Sequence, residues 1–218
     1  MKKINWVNHG VELVVVIIGI SIAFSLNNWR DSRTARKHEK EYLSSMLEDL
    51  AEDMGRLVVI IQSDSVKKSQ LDTLISFTRY PSRTRPGKVA EHLFANGFYF
   101  PFAPQRTTYD IMTSTGELTL IRDQDLRRQI VQLYTIWYGS LEIGDEILEE
   151  HMRIYMSPFV MNEVQFLGYN QLDESFLVES RFRNIVYTQL GHLGRRQGFH
   201  TRAYEEANRL KTAIEDYL

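Results

Sequence analysis

One group of residues in the C-terminal half has the types and spacing of a metal site. Glu142, Glu146, Glu149 and Glu150 precede His151, so a helix would carry four carboxylates and one imidazole on adjacent turns. Carboxylate oxygens and imidazole nitrogens are ligands for divalent metals. Helices also present such acidic stripes to water, and we expect this one to be a solvated face.

A second group combines basic residues with glycines near the C-terminal end. Its members are Gly191, His192, Gly194, Arg195, Arg196, Gly198 and His200. Guanidinium and imidazolium groups bind anions, and glycines within a helical pattern mark a kink where a ligand or a partner helix approaches. Two interpretations stay open, an anion site and a frayed basic surface, and we favour the surface.

Motifs that identify enzymes are absent from the sequence. There is no G-x-G-x-x-G, P-loop, G-x-S-x-G or H-E-x-x-H motif, and no glutamate has a histidine three residues later, as a di-iron bundle requires. The chain has no cysteine, which excludes disulfides, thiolate metal sites and cysteine nucleophiles. We therefore expect no catalytic residue, no metal and no cofactor, and a protein that is not an enzyme.

The overall composition is that of a folded domain with an attached anchor. Hydrophobic residues make up 43% of the 218 residues and charged residues 25%. Lysine and arginine number 26 against 28 aspartates and glutamates, so a net charge of −2 gives no general attraction to phosphate backbones. We expect no nucleic-acid partner.

The most informative segment is an apolar run near the N-terminus. It extends over residues 13–26, which is about 21 Å of helix and shorter than the roughly 30 Å hydrocarbon core of a bilayer. Trp6 and Trp29 lie 23 residues apart, or about 34 Å of helix, the spacing of aromatic residues at the two interfaces of a membrane. We predict one spanning helix over about residues 5–28, in contact with membrane lipid.

Two other interpretations of this apolar segment stay open. Lys2 and Lys3, with the small residues of Ser21-Ile22-Ala23, are also typical of a cleaved signal peptide. The other alternative is a buried helix of a soluble protein, although a run rich in valine and isoleucine between two tryptophans fits that alternative poorly.

Three residues of the predicted anchor suggest a contact with another membrane helix. Glu12 lies about one turn inside the apolar segment, where an unpaired carboxylate is costly. Gly19 and Ala23 form a small-x-x-x-small pair that permits close helix approach. The alternative for Glu12 is that its side chain reaches the nearby interface.

Apolar residues at alternating spacings of three and four predict helices in the rest of the chain. The apolar seams are 43–61, 71–77, 126–137, 134–159 and 182–217, with a lapse over 62–70, a stop at Pro81 and a break bracketed by Pro158 and Gly168. Asp123 is the expected N-cap of the helix that follows it. The aromatic, proline-broken segment 96–104 is expected to be irregular, and we favour a packed hydrophobic plug over the alternative of an exposed partner-binding patch.

These patterns together predict an all-α fold. No two runs with strand-like alternation face each other, so we expect a bundle of about four long helices with short helical inserts. We assign residues 1–29 to an N-terminal transmembrane helix and residues 30–218 to the bundle domain, and we expect the first helix to continue into the bundle without a linker.

Two stretches of the sequence carry a recognisable pattern, VELVVVIIGISIAFSLNNW and TTYDIMTSTGELTLIRDQDLRRQIVQLY. The residues that carry it are Glu12, Gly19, Asn27, Asn28, Trp29, Tyr109, Asp110, Ser114, Gly116, Leu118, Ile121 and Leu126. On these residues the chain resembles a family of uncharacterised bacterial single-pass membrane proteins that is carried as a domain of unknown function. The resemblance implies an N-terminal anchor and a helical C-terminal domain, and it implies no activity.

Arguments about membrane orientation disagree. Five basic residues within 30–40 outnumber Lys2 and Lys3, which favours a cytoplasmic C-terminal domain. The two-lysine tail directly before the apolar run has the layout of an uncleaved signal anchor, and the resemblance also implies a cytoplasmic N-terminus. We expect a bacterial inner-membrane protein whose C-terminal domain is periplasmic.

The segment 106–116 has two interpretations, a small-ligand site or a turn between helices. Its polar residues and its glycine are Arg106, Tyr109, Asp110, Thr113, Ser114 and Gly116. Charged and hydroxyl groups at this density would surround a small molecule, whereas helix capping and a tight turn explain the same residue types. We favour the turn.

The function predicted from these observations is non-enzymatic. We expect a membrane-anchored helical protein that acts through protein–protein contacts, as an accessory or scaffold subunit of a membrane or envelope complex or as a homo-oligomer. The alternative is a sensory or small-ligand-binding helical domain that signals through a partner.

Overall fold

The computed structural model describes residues 6–84, 87–168 and 171–218, with side chains from residue 13 onward. Its helices are α1 (Trp6–Arg79), α2 (Lys88–Ala95), α3 (Thr107–Ser114), α4 (Gln124–Gln132), α5 (Tyr138–His151), α6 (Ser157–Glu163) and α7 (Ser180–Tyr217). Turns of 3-10 helix cover Pro81–Arg83, Glu117–Leu120 and Glu174–Val178. A short antiparallel hairpin pairs β1 (Phe166–Gly168) with β2 (Gln171–Leu172). The prediction of an all-α fold is confirmed.

Helix α1 is a single helix of 74 residues, about 111 Å long. It carries both the apolar run 13–26 and the first long helix of the bundle, so the predicted continuation is confirmed. The lapse in the apolar pattern over 62–70 is not a break in the helix. The helix continues there because Asp64 is buried against Arg196 of α7 and takes the place of an apolar seam residue.

Helices α4, α5 and α6 follow one another without interruption and form one helix over 124–163, called the central helix below. Two five-residue π segments, Leu133–Trp137 and Met152–Met156, join its three parts. A π turn is wider than an α turn, which gives the ring of Pro158 room to enter the helix directly after the second π segment. The helix ends at Glu163, within the predicted break.

The start of the central helix is fixed by a side-chain cap. One carboxylate oxygen of Asp123 accepts the backbone N–H of Asp125 at 2.8 Å and that of Leu126 at 2.9 Å. Such a cap satisfies amide groups that have no carbonyl partner in the first turn. The prediction of Asp123 as N-cap is confirmed.

Residues 88–121 form a fourth column of short helices and one extended segment, which runs antiparallel to α1. The column consists of α2, an extended segment over 96–106 called the strap below, α3 and a 3-10 turn. Its contacts descend along α1: the Asn96 amide donates to Gln70 at 3.4 Å, and the Gln105 N–H donates to Asp53 at 2.9 Å. The bundle therefore has four columns, of which three are long helices and the fourth is this segment.

The strap is only partly the hydrophobic plug that its sequence predicted. Phe102 is buried and packs against Tyr138 and His200. Phe98 and Phe100, by contrast, are 76% and 71% exposed, so the buried part of the segment is centred on Phe102.

The core of the bundle consists of two apolar layers separated by a polar one. The first apolar layer includes Leu43, Ile130 and Leu210, and the second includes Leu71, Leu148 and Val186. Between them, α1, the central helix and α7 contribute Asp64, Asp145 and Arg196, all of which are buried. Along each of these three helices, the buried charged residue lies between the residues of the first apolar layer and those of the second.

All columns meet α1 again at the base of the bundle, next to the end of the apolar run. The buried carboxylate of Glu39 accepts the backbone N–H of Arg122 at 2.8 Å and the hydroxyl of Tyr217 at 2.7 Å. The ammonium group of Lys40 donates to the Leu218 oxygen at 2.9 Å, and the Arg122 guanidinium donates to the Ser32 carbonyl at 3.4 Å. The packed domain therefore begins within one turn of Trp29.

Candidate functional site

The apolar run of α1 is the first candidate site, because it is uncovered. Every described side chain from Leu13 to Arg30 is exposed, including Trp29 at 62%. Within the described residues, α1 is the one helix long and apolar enough to cross a membrane, and none of its apolar window is buried. Exposed apolar area of this extent on a soluble chain is unfavourable, so the surface requires a covering environment.

The predicted helix-contact residues share one face of this run. Gly19 and Ala23 are one turn apart, and a Cβ atom added at Gly19 would meet no atom within 4 Å. Glu12 is two turns before Gly19 on the same face, but the side chains of Glu12 and Trp6 lie outside the described part of the structure. A contact at this face stays a prediction.

The segment 106–116 uses its side chains within the fold. Tyr109 is buried and stacks on Tyr134, with ring centroids 4.4 Å apart and planes 9° from parallel. The Arg106 guanidinium lies 5.5 Å from the Tyr109 ring and 5.8 Å from the Tyr134 ring, and it pairs with Asp110 at 3.5 Å. These contacts attach α3 to the central helix.

The remaining residues of this segment form the turn after α3. The Thr113 hydroxyl donates to the Tyr109 carbonyl at 2.9 Å, and the Ser114 hydroxyl donates to the Ile111 carbonyl at 3.0 Å. Gly116 has a φ of 77°, a left-handed conformation that glycine adopts without steric cost. The geometry favours the turn interpretation of 106–116, and ligand binding at this segment stays a prediction.

The polar layer is the most tightly organised cluster in the described residues. The Arg196 guanidinium donates to both Asp64 oxygens at 2.6 and 2.7 Å, to Asp145 at 2.5 Å and to the Phe100 carbonyl at 2.5 Å. The second Asp145 oxygen accepts the Phe102 N–H at 2.9 Å. One arginine thereby joins α1, the central helix, α7 and the strap.

Burial dominates the electrostatics of the polar layer. Desolvation raises the pKa of Asp64 above its ordinary value, against the opposing effect of the Arg196 charge. Desolvation also lowers the pKa of Lys67, which lies close enough to Asp64 for the two charges to interact. Buried charges with this many partners are a structural junction.

A further buried carboxylate, Asp53, lies at the level of the first apolar layer. One oxygen of Asp53 accepts the Gln105 N–H, and the other has no hydrogen-bond partner among the described residues. Burial raises the pKa of Asp53 to about 6, and the neighbouring Tyr138 hydroxyl and Arg56 charge oppose that rise. Burial and the Asp53 charge in turn raise the pKa of Tyr138.

A groove of about 510 Å³ lies between the central helix and α7. Its walls include Ile147, Ile154 and Ile185, and its polar groups include His151 and His192. The two imidazole rings have centroids 5.2 Å apart, and His151 Nε2 lies 3.1 Å from the Ile185 carbonyl. Burial lowers the pKa of both histidines, so both are neutral near pH 7.

The residues of the acidic stripe differ in burial, although Glu150 and His151 both line the groove. Glu142, Glu146, Glu149 and Glu150 are exposed on the central helix, whereas His151 is buried against α7. Within the described ranges, no three histidine, aspartate or glutamate side chains come together as a metal site would require.

The predicted basic cluster near the C-terminal end is divided by the fold. Arg196 and His200 are buried in the core, Arg195 is exposed, and His192 lines the groove. Helix α7 continues through all three glycines of this cluster. The close helix approach occurs instead at Gly144, where an added Cβ would lie 3.0 Å from the Phe199 ring.

Sequence reasoning located Arg196 but assigned it to the surface, and it missed Asp64 and Asp145. The available signal was that Arg196 lies on the apolar seam of α7, where a charged residue is buried only with partners. Its partners lie 132 and 51 residues away in the chain, a distance that helical periodicity does not bridge.

The fold and the exposed run define a helical bundle carried at the end of one long, partly uncovered apolar helix. The chain belongs to a family of unknown function (DUF6090), whose model matches residues 12–159. This match confirms the resemblance to a domain-of-unknown-function family and covers α1, the fourth column and most of the central helix. Comparisons with curated proteins and with solved structures give no match.

Proposed function

We propose that this protein is a non-enzymatic, membrane-anchored scaffold that acts through protein–protein contacts, as an accessory subunit of a membrane complex or as a homo-oligomer. The observation that carries the proposal is the continuity of α1. The same helix is fully exposed over its apolar run and buried from Leu43 onward in the bundle. A lipid bilayer is the environment that covers such a run.

The continuity of α1 also makes the coupling between anchor and bundle rigid. The base of the bundle contacts α1 from Ser32 onward, so no flexible linker separates the two parts. A partner bound in the membrane would therefore be held at a fixed position relative to the bundle. Rigid positioning of this kind serves assembly more than turnover of a substrate.

Exposed apolar side chains at the far end of the bundle support a second contact with protein. They surround the connection between the central helix and α7 and include Met161 at 77%, Leu167 at 61% and Val178 at 61% exposure. Clusters of exposed apolar residues are typical of protein interaction sites. An anchor at one end and an apolar surface at the other suit a scaffold.

The placement proposed for the anchor is the bacterial inner membrane, with the bundle in the periplasm. Support comes from the signal-anchor layout of the N-terminal tail, in which Lys2 and Lys3 directly precede the apolar run. The basic residues that follow the run oppose this orientation, and one of them, Lys40, donates to the Leu218 oxygen at the base of the bundle.

The proposed association is tested by substitutions on the Gly19 face. Gly19→Leu and Ala23→Leu would fill the surface that permits close helix approach, and Ser21→Leu places the same bulk on the opposite face. Native mass spectrometry after gentle detergent extraction measures the complexes. We expect a stoichiometric partner or homo-oligomer that is lost in the first two variants and retained in the third.

A monomer that behaves alike in all three variants would contradict the proposed association. It would favour the second candidate function, ligand sensing, whose specific support is the groove of about 510 Å³ beside His151 and His192. A sensor's ligand raises the unfolding temperature through binding to the folded state. Metabolite pools that leave the unfolding temperature unchanged would argue against sensing.

A further inference from the structure

Three arginines from two distant parts of the sequence lie together at the base of the bundle. Arg33 and Arg36 belong to α1, and Arg122 belongs to the turn that precedes the central helix. The Arg122 guanidinium donates to the Ser32 carbonyl at 3.4 Å, which places it beside the α1 arginines. The Arg33 guanidinium lies 5.6 Å from the centre of the Trp29 ring.

The height of this group matches the headgroup layer of a bilayer. Trp29 marks the end of the exposed apolar run, and interfacial tryptophans lie at headgroup level. Arg33 and Arg36 follow it by about 6 and 10 Å along the helix axis. The headgroup region is about 5–8 Å thick on each side of the bilayer. The three guanidinium groups therefore reach this region from the side on which the bundle lies.

In the described part of the chain, the charges of these arginines are not used in ion pairs with carboxylate side chains. Glu39 is the nearest buried carboxylate, and it accepts the Arg122 backbone N–H and the Tyr217 hydroxyl instead. Asp31 accepts the Asn27 side-chain amide.

Two open clefts adjoin the arginines. A cleft of about 290 Å³ is lined by Trp29, Ser32, Arg33 and Arg36. A neighbouring cleft of about 300 Å³ shares Arg36 with it and adds Lys40, Arg122 and Tyr217, together with the buried Glu39 and with Leu218, whose oxygen accepts from Lys40. Each cleft has room for a phosphate-sized group next to at least two cations, and guanidinium groups bind phosphate through paired N–H donors.

We propose that Trp29, Arg33, Arg36 and Arg122, called the collar below, bind the phosphate headgroups of anionic membrane lipids. Trp29 positions the collar at the interface, and the arginines bind the phosphodiester oxygens. Arg122 makes the site depend on folding, because only the packed bundle brings it to α1. This inference rests on the proposed anchoring of α1 in a membrane, and it adds a lipid partner class to it.

The test uses the full chain reconstituted into vesicles of phosphatidylcholine with a minor fraction of phosphatidylglycerol. Gentle detergent extraction and mass spectrometry give the ratio of the two lipids that stay with the protein. The triple variant Arg33→Gln, Arg36→Gln, Arg122→Gln removes the collar charges. Its matched control, Arg153→Gln, Arg195→Gln, Arg202→Gln, removes three exposed arginines from the upper part of the bundle.

We expect phosphatidylglycerol to be enriched on the wild type and on the control variant, and not on the collar variant. Each basic residue beside an anionic surface contributes about a fivefold preference, so the loss is severalfold or more. Added inorganic phosphate is expected to leave the enrichment of phosphatidylglycerol unchanged. If phosphate abolished the enrichment, the site would be assigned to a free anion. Equal enrichment on the wild type and the collar variant would overturn the proposal.

Flotation of the vesicles separates this outcome from a failure of anchoring. Protein that floats with the vesicles but shows no lipid preference contradicts the collar alone. Protein that stays at the bottom of the gradient contradicts the membrane anchor, and with it the proposed function.

Discussion

Asp53 is a carboxylate in an environment that disfavours its charged form. It is fully buried, and burial raises its pKa from 3.8 to about 6. The folded state therefore holds this proton more tightly than the unfolded state does. The contribution of Asp53 to the free energy of unfolding is highest at low pH, declines as the pH rises from about 4 to about 6, and is constant above that range.

The expected effect of Asp53→Asn follows from this pH dependence of the free energy of unfolding. The asparagine carbonyl still accepts the Gln105 N–H, and the cost of burying a charge disappears. We expect the variant to be more stable than the wild type by about 2–3 kcal/mol above pH 6, and equal to it below pH 4. Chemical unfolding across this pH range measures the difference.

The exposed Asp72→Asn serves as the matched control, because it removes the same charge from the surface of α1. It should show no pH-dependent difference from the wild type. The expectation is contradicted if Asp53→Asn is less stable than the wild type at neutral pH by as much as the expected gain. That result would show that the fold requires the ionised carboxylate at this position.

Residue roles were only partly predictable from the sequence, and the reason is the range of the interactions. Asp123 was identified as a cap because capping is local, between a side chain and the next three residues. Asp64 and Asp145 were missed because their burial depends on Arg196, far along the chain. Arg106 and Tyr109 were singled out for a turn or a ligand site, and the sequence did not identify Tyr134, the ring on which both pack.

At the scale of elements, the polar layer decides how the helices are joined. Arg196 on α7 is shared between Asp64 of α1 and Asp145 of the central helix, and all three are buried. The apolar contacts above and below the polar layer are not directional, so they permit the helices to slide along their axes. The hydrogen bonds from a guanidinium group to fixed acceptors are directional and align the helices. We infer that the layer fixes the register of the three long helices.

Arg196→Met tests the contribution of the polar layer. It keeps the volume of the side chain and leaves two carboxylates buried without a cation, which is expected to cost about 3–5 kcal/mol of unfolding free energy. Urea unfolding of the detergent-solubilised chain measures the loss. The exposed neighbour changed in the same way, Arg195→Met, should stay within about 0.5 kcal/mol of the wild type.

A companion variant separates charge from packing in this layer. Asp64→Asn and Asp145→Asn, added to Arg196→Met, remove the unpaired charges and should recover a large part of the loss. No recovery, or a cost below about 1 kcal/mol for Arg196→Met alone, would contradict a buried ion pair at this position.

Helices were predictable where the apolar period is regular, and the connections were not. The continuation of α1 and the seams of the central helix and α7 follow from spacings of three and four. The fourth column is irregular because Pro101 and Pro104 deny it a helical path over 96–106, and its position depends on contacts with α1. Helix α1 stays continuous through 62–70 because Asp64 there is paired in the core.

In the whole molecule, helix α1 has two parts with different surroundings, an exposed apolar part and a part packed in the bundle. The lower part of α1 exposes an apolar surface, and the upper part is one of four columns around a two-layered core. The base of the bundle joins them through Glu39, which ties α1 to the turn before the central helix and to the end of α7. The family match over 12–159 extends across both parts of α1.

The proposed function depends most on α1 being a membrane anchor. Alkaline extraction of a labelled protein tests this anchor most directly. Because the chain has no cysteine, the exposed Ser114→Cys gives a single reactive thiol in the bundle. Cells with a permeable outer membrane are treated with an impermeant thiol reagent, and their membranes are then washed at alkaline pH. We predict labelled protein that stays in the membrane pellet.

Release of the protein into the alkaline supernatant would contradict the anchor and the function built on it. Retention in the pellet without labelling, until the inner membrane is also opened, would keep the anchor and place the bundle in the cytoplasm.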